Sequence, residues 1–294
     1  MTITVVALGA LAACKRSAPN DAPTERPDAG PPPSPPRPPA DVDAAAGTFS
    51  MTYTSDGLHL RGDVFKPEGR GPFPAVVYNH GSEQDPGLDI FKDIGVFFQR
   101  AGYVVVFPYR RGTQGNEGAY WRDDVERRPK EERDEATVAA LDAESADVLA
   151  GIRWTAEQPY VDRARVAVAG CSFGGIETLL AAEKSPDVYA AVDFAGASMS
   201  WATSPRLRER LAAAANGARV PVFFLQAEND FDTTPSRALS SEMTAAGKPS
   251  TMRIFPPFGA SKGAGHGGFC TMDMVDWGDA VLAFLRAPRG DAGR

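Results

Sequence analysis

A serine and a cysteine stand side by side between glycines in the segment VAVAGCSFGGIETLL, residues 166–180. Both side chains can attack an acyl carbon, so the spacing of the glycines has to decide between them. Gly170 and Gly174 lie two residues to either side of Ser172, which gives the pattern G-x-S-x-G. In this pattern a sharp turn between a strand and a helix raises the serine above a sheet, and only small neighbours fit. The glycines are not centred on Cys171, so the pattern indicates Ser172 as the nucleophile.

A serine hydroxyl needs a general base, and the chain has three histidines that can supply one. His59 lies in a predicted hairpin, where the alternation of apolar and polar residues favours a surface position. His80 precedes a glycine in a tight turn, where a turn-stabilising role is favoured over a role as a second base. His266 lies in the glycine-rich segment GASKGAGHGGFC, after the last predicted strand. Hydrolases with this strand–turn–helix nucleophile follow the chain order Ser, acid, His, and only His266 satisfies that order.

The acid that orients the histidine is expected after a strand, between the nucleophile and the base. The segment VPVFFLQAENDFDTTPS offers Glu228, Asp230 and Asp232, and Asp193 follows the preceding strand. Asp230 stands at the turn just beyond its strand and is preferred, with Asp232 as the alternative and Asp193 as the weaker candidate. The expected role of the acid is to hold one imidazole tautomer and to stabilise the imidazolium.

Acyl chemistry also needs hydrogen-bond donors for the negative oxygen of the tetrahedral intermediate. One predicted donor is the backbone amide of Phe173, directly after the nucleophile. The second is expected in the loop after AVVYNHG, where His80 and Gly81 make a tight turn. The amide of Ser82 is therefore the second candidate, and no metal ligand is expected at the site.

Strands and helices alternate along the chain from residue 48 onward. The pattern predicts a hairpin around Asp56 and Gly57, then strands at PAVVYNHG, GYVVVFPYRRG, RVAVAG, YAAVDFAG, VPVFFLQ and TMRIFPP, and helices over 89–101, 134–158, 173–183, 235–246 and 272–286. This predicts an α/β fold with a mostly parallel sheet, an antiparallel N-terminal hairpin and helices on both faces. The charge-dense stretch 121–135 is interpreted as a solvated loop or helix start that can border the site.

The first 47 residues differ in composition from the rest. TITVVALGALAAC is an uncharged apolar run of signal-peptide length, and its end, LAAC, resembles the bacterial lipobox, in which the cysteine carries lipid. Residues 15–47 are Pro-rich and predict a disordered spacer. We therefore expect a signal segment at 1–14 with lipidation at Cys14, a linker at 15–47, an exported catalytic domain at 48–287 and a tail at 288–294. The alternative is an apolar N-terminus that is not cleaved.

The chain has 294 residues and a net charge of −7, with 43% hydrophobic and 23% charged residues. These proportions are typical of a soluble globular protein. An acidic chain without a clustered basic face is a poor candidate for binding nucleic acid. No apolar run is long enough for a bilayer span, so membrane contact is expected only through lipid at Cys14. The oligomeric state is left open.

Five segments together resemble the dienelactone hydrolase family of α/β-hydrolases and the catalytic domain of prolyl-oligopeptidase-like enzymes: PYVDRARVAVAGCSFGGIETLLAA, NHGS, FPYRRGTQGNEG, QAENDFD and GAGHGGF. The resemblance covers about residues 48–287 and implies an α/β-hydrolase fold and cofactor-free hydrolysis of esters or lactones through an acyl-enzyme. By position in the motifs it implies Ser172, Asp230 and His266 as the triad, with the amides of Ser82 and Phe173 as donors. True dienelactone hydrolases have a cysteine where this chain has Ser172, so dienelactone is not an assured substrate.

After Cys14, the two other cysteines lie beside the predicted catalytic residues. Cys171 precedes the nucleophile, and Cys270 follows His266 by four residues. This resembles a pattern in some tannases and feruloyl esterases, where cysteines beside the serine and the histidine are bridged, although there the second cysteine adjoins the histidine. The resemblance implies a disulfide, but the alternative of two buried free cysteines packed as small apolar residues is favoured.

These observations predict a serine esterase for small or medium ester or lactone substrates. The segment 197–219 is too short for a large lid, so a fairly open site is expected. Two alternatives remain, since a fold alone does not determine a function. One is a serine peptidase or acyltransferase that uses the same acyl-enzyme chemistry, and the other is a catalytically inactive, envelope-tethered binding protein.

Overall fold

A computed structural model describes residues 46–287, where eight strands and eight helices alternate. The strands are β1 (Gly47–Ser55), β2 (Leu58–Lys66), β3 (Phe73–Asn79), β4 (Val104–Pro108), β5 (Val161–Cys171), β6 (Ala190–Phe194), β7 (Val222–Ala227) and β8 (Ser250–Phe255). The helices are α1 (Leu88–Arg100), α2 (Trp121–Glu126), α3 (Arg133–Ala156), α4 (Phe173–Lys184), α5 (Pro205–Gly217), α6 (Thr234–Ala245), α7 (Phe269–Met272) and α8 (Met274–Arg286). The signal segment, Cys14, nearly all of the predicted linker and the tail lie outside the described residues, so those assignments stay predictions.

All eight strands form one sheet in the order β1-β2-β4-β3-β5-β6-β7-β8. The first two strands pair antiparallel with each other, and β2 pairs antiparallel with β4. Every other pair is parallel. The predicted fold class is confirmed, including the antiparallel hairpin at the edge.

The hairpin turn follows directly from its two central residues. Ser55 pairs with Leu58, so the loop between the strands has only two residues. Asp56 and Gly57 both have positive φ angles, of 48° and 80°. Two-residue turns of this kind match the right-handed twist of the strands, and an Asp-Gly sequence is favoured in them.

Successive residues of the central strands point to opposite faces of the sheet, and both faces are covered. On β3, Val77 belongs to a core formed with α3, α4, α5 and α6, whereas Val76 belongs to a core formed with α1 and α8. Both side chains are fully buried. A strand buried on two faces reads as a continuous apolar run, as the sequence VVY and its neighbours do.

The structure differs from the prediction in two places. Helix α5 was not predicted, although Ser204 caps it by accepting a hydrogen bond from the amide of Leu207 and a proline follows in its first turn. The segment around His266, predicted as a glycine-rich loop, is instead a π-helical turn (Ala264–Gly268) that continues into α7. Gly265 in this turn allows close packing, because a Cβ there would lie 2.4 Å from Oδ1 of Asn229.

The charge-dense stretch 121–135 contains helix α2, a 3₁₀ turn at Lys130–Glu132 and the start of α3. Most of its charged side chains are exposed, which agrees with its interpretation as a solvated segment with helix starts. Among the residues described, no helix combines the length and the apolar character that crossing a bilayer requires.

Candidate active site

The predicted nucleophile lies at the junction of β5 and α4. Ser172 has φ 59° and ψ −116°, a strained conformation for a residue with a side chain. Its amide donates to the carbonyl of Phe194 at the end of β6, over 2.8 Å. The flanking glycines allow the close approach: a Cβ on Gly170 would lie 2.4 Å from the oxygen of Gly174, and one on Gly174 only 2.1 Å from the oxygen of Asn79. The G-x-S-x-G spacing thus reflects helix α4 packed directly against the end of β3.

His266 joins the serine to a carboxylate, although the three residues are far apart in the sequence. Its Nε2 lies 2.8 Å from Oγ of Ser172. Its Nδ1 lies 2.9 Å and 3.1 Å from the two carboxylate oxygens of Asp230. Because the carboxylate can only accept, we assign the proton to Nδ1, which leaves Nε2 free to accept from the serine hydroxyl.

Asp230 is held by donors on both oxygens. Oγ of Ser198 donates to Oδ1 over 2.6 Å, and Nε2 of Gln226 donates to Oδ2 over 2.9 Å. The backbone amide of Phe231 also donates to Oδ1. Hydrogen bonds to a carboxylate are directional, so these donors orient the acid toward the imidazole. Sequence reasoning missed both Ser198 and Gln226. The one signal in the sequence was the position of Gln226 near the end of β7, four residues before Asp230.

The other acids and histidines considered for the site lie elsewhere. Asp232 accepts from the amide of Thr234 at the start of α6, over 2.8 Å. Asp193 is buried and accepts from the amide of Gly196, and burial raises its pKa to about 7. Glu228 and His59 are exposed.

His80 is buried in the loop after β3 and stabilises the turn. Its Nδ1 lies 3.0 Å from the carbonyl oxygen of Gly81, and its Nε2 accepts from the amide of Arg110 over 3.3 Å. Burial, together with the nearby Arg110 charge, lowers the pKa of this imidazole well below its usual value. A neutral ring with both nitrogens in use fits the turn-stabilising role.

The two predicted oxyanion donors lie at the ends of neighbouring parallel strands. Phe173 is the first residue of α4, where the geometry of a helix leaves the amide without an intrahelical acceptor. Ser82 is half-buried in the loop that follows β3. Asn79 at the end of β3 is in register with Gly170, two residues before the nucleophile. The loop that carries Ser82 therefore starts beside the strand that carries Ser172.

Comparison with solved structures identifies the architecture. A Pyrococcus horikoshii acylaminoacyl peptidase superposes with a TM-score of 0.61 at 17% identity, over 85% of this chain and 44% of the peptidase. A Pyrococcus furiosus esterase superposes with a TM-score of 0.59 at 15% identity, over 86% of this chain and 96% of the esterase. The chain has the α/β-hydrolase fold.

Sequence comparison matches part of the chain to one family model and to individual proteins. The model of the prolyl oligopeptidase family matches residues 91–205, a segment that contains Ser172 but ends before Asp230 and His266. A Penicillium polyketide transferase, grgF, is 32% identical over 139 residues, and the Bacillus subtilis uncharacterized peptidase YtmA is 28% identical over 134 residues. These matches cover 47% and 46% of this chain but only 41% and 45% of the relatives, so the chain spans less than half the length of either.

A disulfide joins Cys171 to Cys270, whose Cα atoms lie 6.0 Å apart. In the structure the alternative of two free buried cysteines is therefore wrong. The bridge ties the residue before the nucleophile to helix α7, which follows His266 directly. The bridge is thus a covalent link between the segments that carry Ser172 and His266, and Cys171 carries no free thiol beside Ser172.

The bridge makes the stability of the domain sensitive to reductant. For a sequence separation of 99 residues, the chain-entropy treatment gives a stabilisation of about 4–5 kcal/mol. Reduction should therefore lower the melting temperature by roughly 10 °C or more in a domain of this size. Thiol titration of the unfolded, unreduced Cys14→Ser protein should detect no free thiol, and a Cys171→Ala/Cys270→Ala variant should melt at the same temperature with and without reductant. Two titratable thiols would contradict the bridge.

Apolar side chains lie beside residues of the candidate site. The Trp121 ring stacks on Phe173 with centroids 4.9 Å apart, so the charge-dense stretch does border the site. The Phe231 ring meets the His266 imidazole edge-on at 5.6 Å and is 39% exposed. Met199, the neighbour of Ser198, is 63% exposed. Phe231 and Met199 thus give the site an exposed, partly apolar rim.

Proposed function

We propose that this chain is a serine hydrolase that cleaves carboxylic ester or lactone bonds of small to medium substrates through an acyl-enzyme. The observation that carries the proposal is the unbroken contact from Ser172 through His266 to Asp230, with 2.8 Å between Oγ and Nε2. A serine within hydrogen-bond reach of a base that a third group orients is the arrangement that nucleophilic catalysis requires.

In the proposed reaction, Oγ of Ser172 attacks the carbonyl carbon of the substrate while Nε2 of His266 takes the hydroxyl proton. Asp230 stabilises the imidazolium that forms but stays ionised. The tetrahedral intermediate collapses, and the leaving alkoxide takes the proton from Nε2. Water then repeats the sequence on the acyl-enzyme: His266 removes a water proton, hydroxide adds to the carbonyl, and Oγ of Ser172 leaves with the proton returned.

The amides of Phe173 and Ser82 are proposed as donors to the oxyanion of both tetrahedral intermediates. Such donors act because they already point at the place where the charge develops, so no reorganisation is needed during the reaction. Strands β3 and β5 are paired in parallel and end at the same edge of the sheet, just before Ser82 and Phe173. This placement supports the assignment of the two amides as oxyanion donors.

Ester or lactone substrates are proposed because of the open rim. Between β6 and β7 the described chain has a loop and the single helix α5, with no inserted domain over Ser172. Exposed Met199 and Phe231 provide apolar surface for an acyl or alcohol group. The peptidase and polyketide transferase relatives favour a second candidate, in which the same acyl-enzyme is formed from an amide or passes its acyl group to another acceptor.

A substrate panel tests the proposal. The purified protein is assayed on p-nitrophenyl acetate, butyrate and decanoate, on a δ-lactone, and on aminoacyl p-nitroanilides, with and without an added alcohol as acyl acceptor. We expect kcat/KM to be highest for the esters of short acyl chains. Equal or higher kcat/KM on anilides would favour a peptidase, and predominant transfer to the alcohol would favour an acyltransferase. Failure to turn over any substrate or to react with a fluorophosphonate would support the inactive binding protein.

The cellular location is also proposed. The sequence LAAC supports export with lipid at Cys14, and a disulfide beside the active site supports a compartment outside the reducing cytosol. Mass spectrometry of the N-terminal peptide tests this, since an unmodified Cys14 in an uncleaved chain would reject the lipid anchor.

A further inference from the structure

Arg110, which follows β4, is a charged side chain that is fully buried beneath the active site. A buried charge is costly unless it is paired and hydrogen-bonded. Nε of Arg110 donates to Oε2 of Glu144 on α3 over 2.6 Å, and the two side chains are 1% and 2% exposed. One edge of the guanidinium is thus neutralised by a buried carboxylate, while its terminal nitrogens face a different element.

The two terminal nitrogens of Arg110 bind consecutive carbonyls of the loop after β3. Nη1 donates to the oxygen of His80 over 2.9 Å, and Nη2 donates to the oxygen of Gly81 over 2.7 Å. The Gly81 oxygen is also 3.0 Å from Nδ1 of His80. A planar guanidinium can make these three divergent bonds at once, which a lysine ammonium on a flexible stem does not reproduce.

The contact with Gly81 acts on the proposed oxyanion donor through one peptide unit. The carbonyl of Gly81 and the amide of Ser82 belong to the same rigid plane, and in a trans peptide they point in opposite directions. Anchoring the oxygen therefore sets the direction of the Ser82 N–H. A cationic donor on the oxygen also polarises the peptide, which strengthens the N–H as a donor.

The same guanidinium lies against the residue that carries the other proposed donor. The carbon at the centre of the Arg110 guanidinium is 5.0 Å from the centre of the Phe173 ring. Trp121 stacks on that ring as well, with centroids 4.9 Å apart. Cation–π contact and stacking restrict the ring at the first residue of α4.

We propose that Arg110, held by Glu144, is a positioning residue that sets the oxyanion site by orienting the Ser82 amide. This inference rests on the proposed serine hydrolase function. A residue that orients a donor for the transition state lowers kcat when it is lost and leaves KM nearly unchanged. A residue needed only for folding lowers the melting temperature and leaves kcat of the folded protein unchanged.

The variants are Arg110→Lys and the double variant Arg110→Met/Glu144→Leu. The double variant removes both charges of the ion pair together, so neither partner is left buried without the other. The neighbouring pair of Arg111 and Asp147 provides matched controls, because Arg111 binds a fully buried carboxylate without contacting the loop after β3. The controls are Arg111→Lys and Arg111→Met/Asp147→Leu. Circular dichroism and melting curves identify the folded fraction of each.

The measurements are kcat and KM on a p-nitrophenyl ester and the Kd of a trifluoromethyl ketone, which adds to the serine and forms an oxyanion. For the folded Arg110→Met/Glu144→Leu variant we expect kcat to fall about 10²–10³-fold, as on loss of one oxyanion donor. KM should change by less than about threefold, and ketone affinity should fall in step with kcat/KM. Arg110→Lys should recover part of the rate, and both Arg111 variants should keep kcat near that of the unmodified protein.

Two results would overturn the inference and are distinguishable. If the folded Arg110 variants keep kcat and ketone affinity within about threefold of the unmodified protein, Arg110 is structural only and the proposed hydrolase stands. If the unmodified protein neither hydrolyses the ester nor reacts with a fluorophosphonate at Ser172, the proposed function fails and the inference fails with it.

Discussion

Replacing Ser172 with alanine should lower kcat for an activated aryl ester by roughly four to six orders of magnitude. The hydroxyl oxygen lies 2.8 Å from Nε2 of His266. Without it, the acyl-enzyme cannot form, and the remaining turnover comes from water and from binding alone. The measurement is steady-state turnover together with fluorophosphonate labelling, followed by peptide mass spectrometry to locate the modified residue.

The neighbouring cysteine supplies the control. Its sulfur is bonded to Cys270, so it is not available as a nucleophile. A Cys171→Ala/Cys270→Ala variant should therefore keep substantial turnover below its melting temperature, although its stability falls. An active Ser172→Ala variant that a thiol reagent then inactivates would show that the nucleophile is the cysteine.

Replacing Asp230 with asparagine should lower kcat by about 10⁴, because the amide can no longer hold the Nδ1–H tautomer or stabilise the imidazolium. Both carboxylate oxygens lie within hydrogen-bond distance of Nδ1 of His266, at 2.9 Å and 3.1 Å. His266→Ala should be as inactive as Ser172→Ala, since residues that act as a unit have non-additive effects.

Asp232 is the matched control, two residues further along the same loop. Its side chain accepts from the amide of Thr234 at the start of α6 rather than from the histidine. The side-chain oxygen of asparagine can accept the same hydrogen bond from Thr234, so Asp232→Asn should change kcat by less than about threefold. Measured kcat values for the two variants on the same ester check the assignment, and equal or reversed effects would transfer the acid to Asp232.

The alternation of strands and helices was predictable because the burial of each element determines a local pattern of apolar residues. The apolar runs that become β3, β4, β5 and β7 have the length and composition of strands buried on both faces. The candidate nucleophile could also be predicted from a local pattern, because the turn at Ser172 requires small residues at positions 170 and 174. Elimination identified His266, because the chain has only three histidines and the fold imposes an order on the triad.

The sequence did not determine which carboxylate contacts the histidine. Glu228, Asp230 and Asp232 all follow β7, and the direction of each side chain depends on contacts with other elements. Ser198, 32 residues away in the chain, donates to Asp230 and helps to orient it toward the histidine. A local sequence pattern does not indicate such a pairing. The candidates could therefore be ranked only by their positions in the turn after β7.

What the sequence determined by itself was therefore the fold class and the candidate nucleophile and base, because these follow from local periodicity, turn geometry and chain order. The tertiary structure decided which carboxylate meets the histidine, that Cys171 and Cys270 are joined, and that Arg110 and Glu144 form a buried pair under the loop of Ser82. Each of these depends on side chains 34 to 99 residues apart that meet only after the sheet has formed. Contacts of that kind are set by packing between elements, which no local pattern encodes.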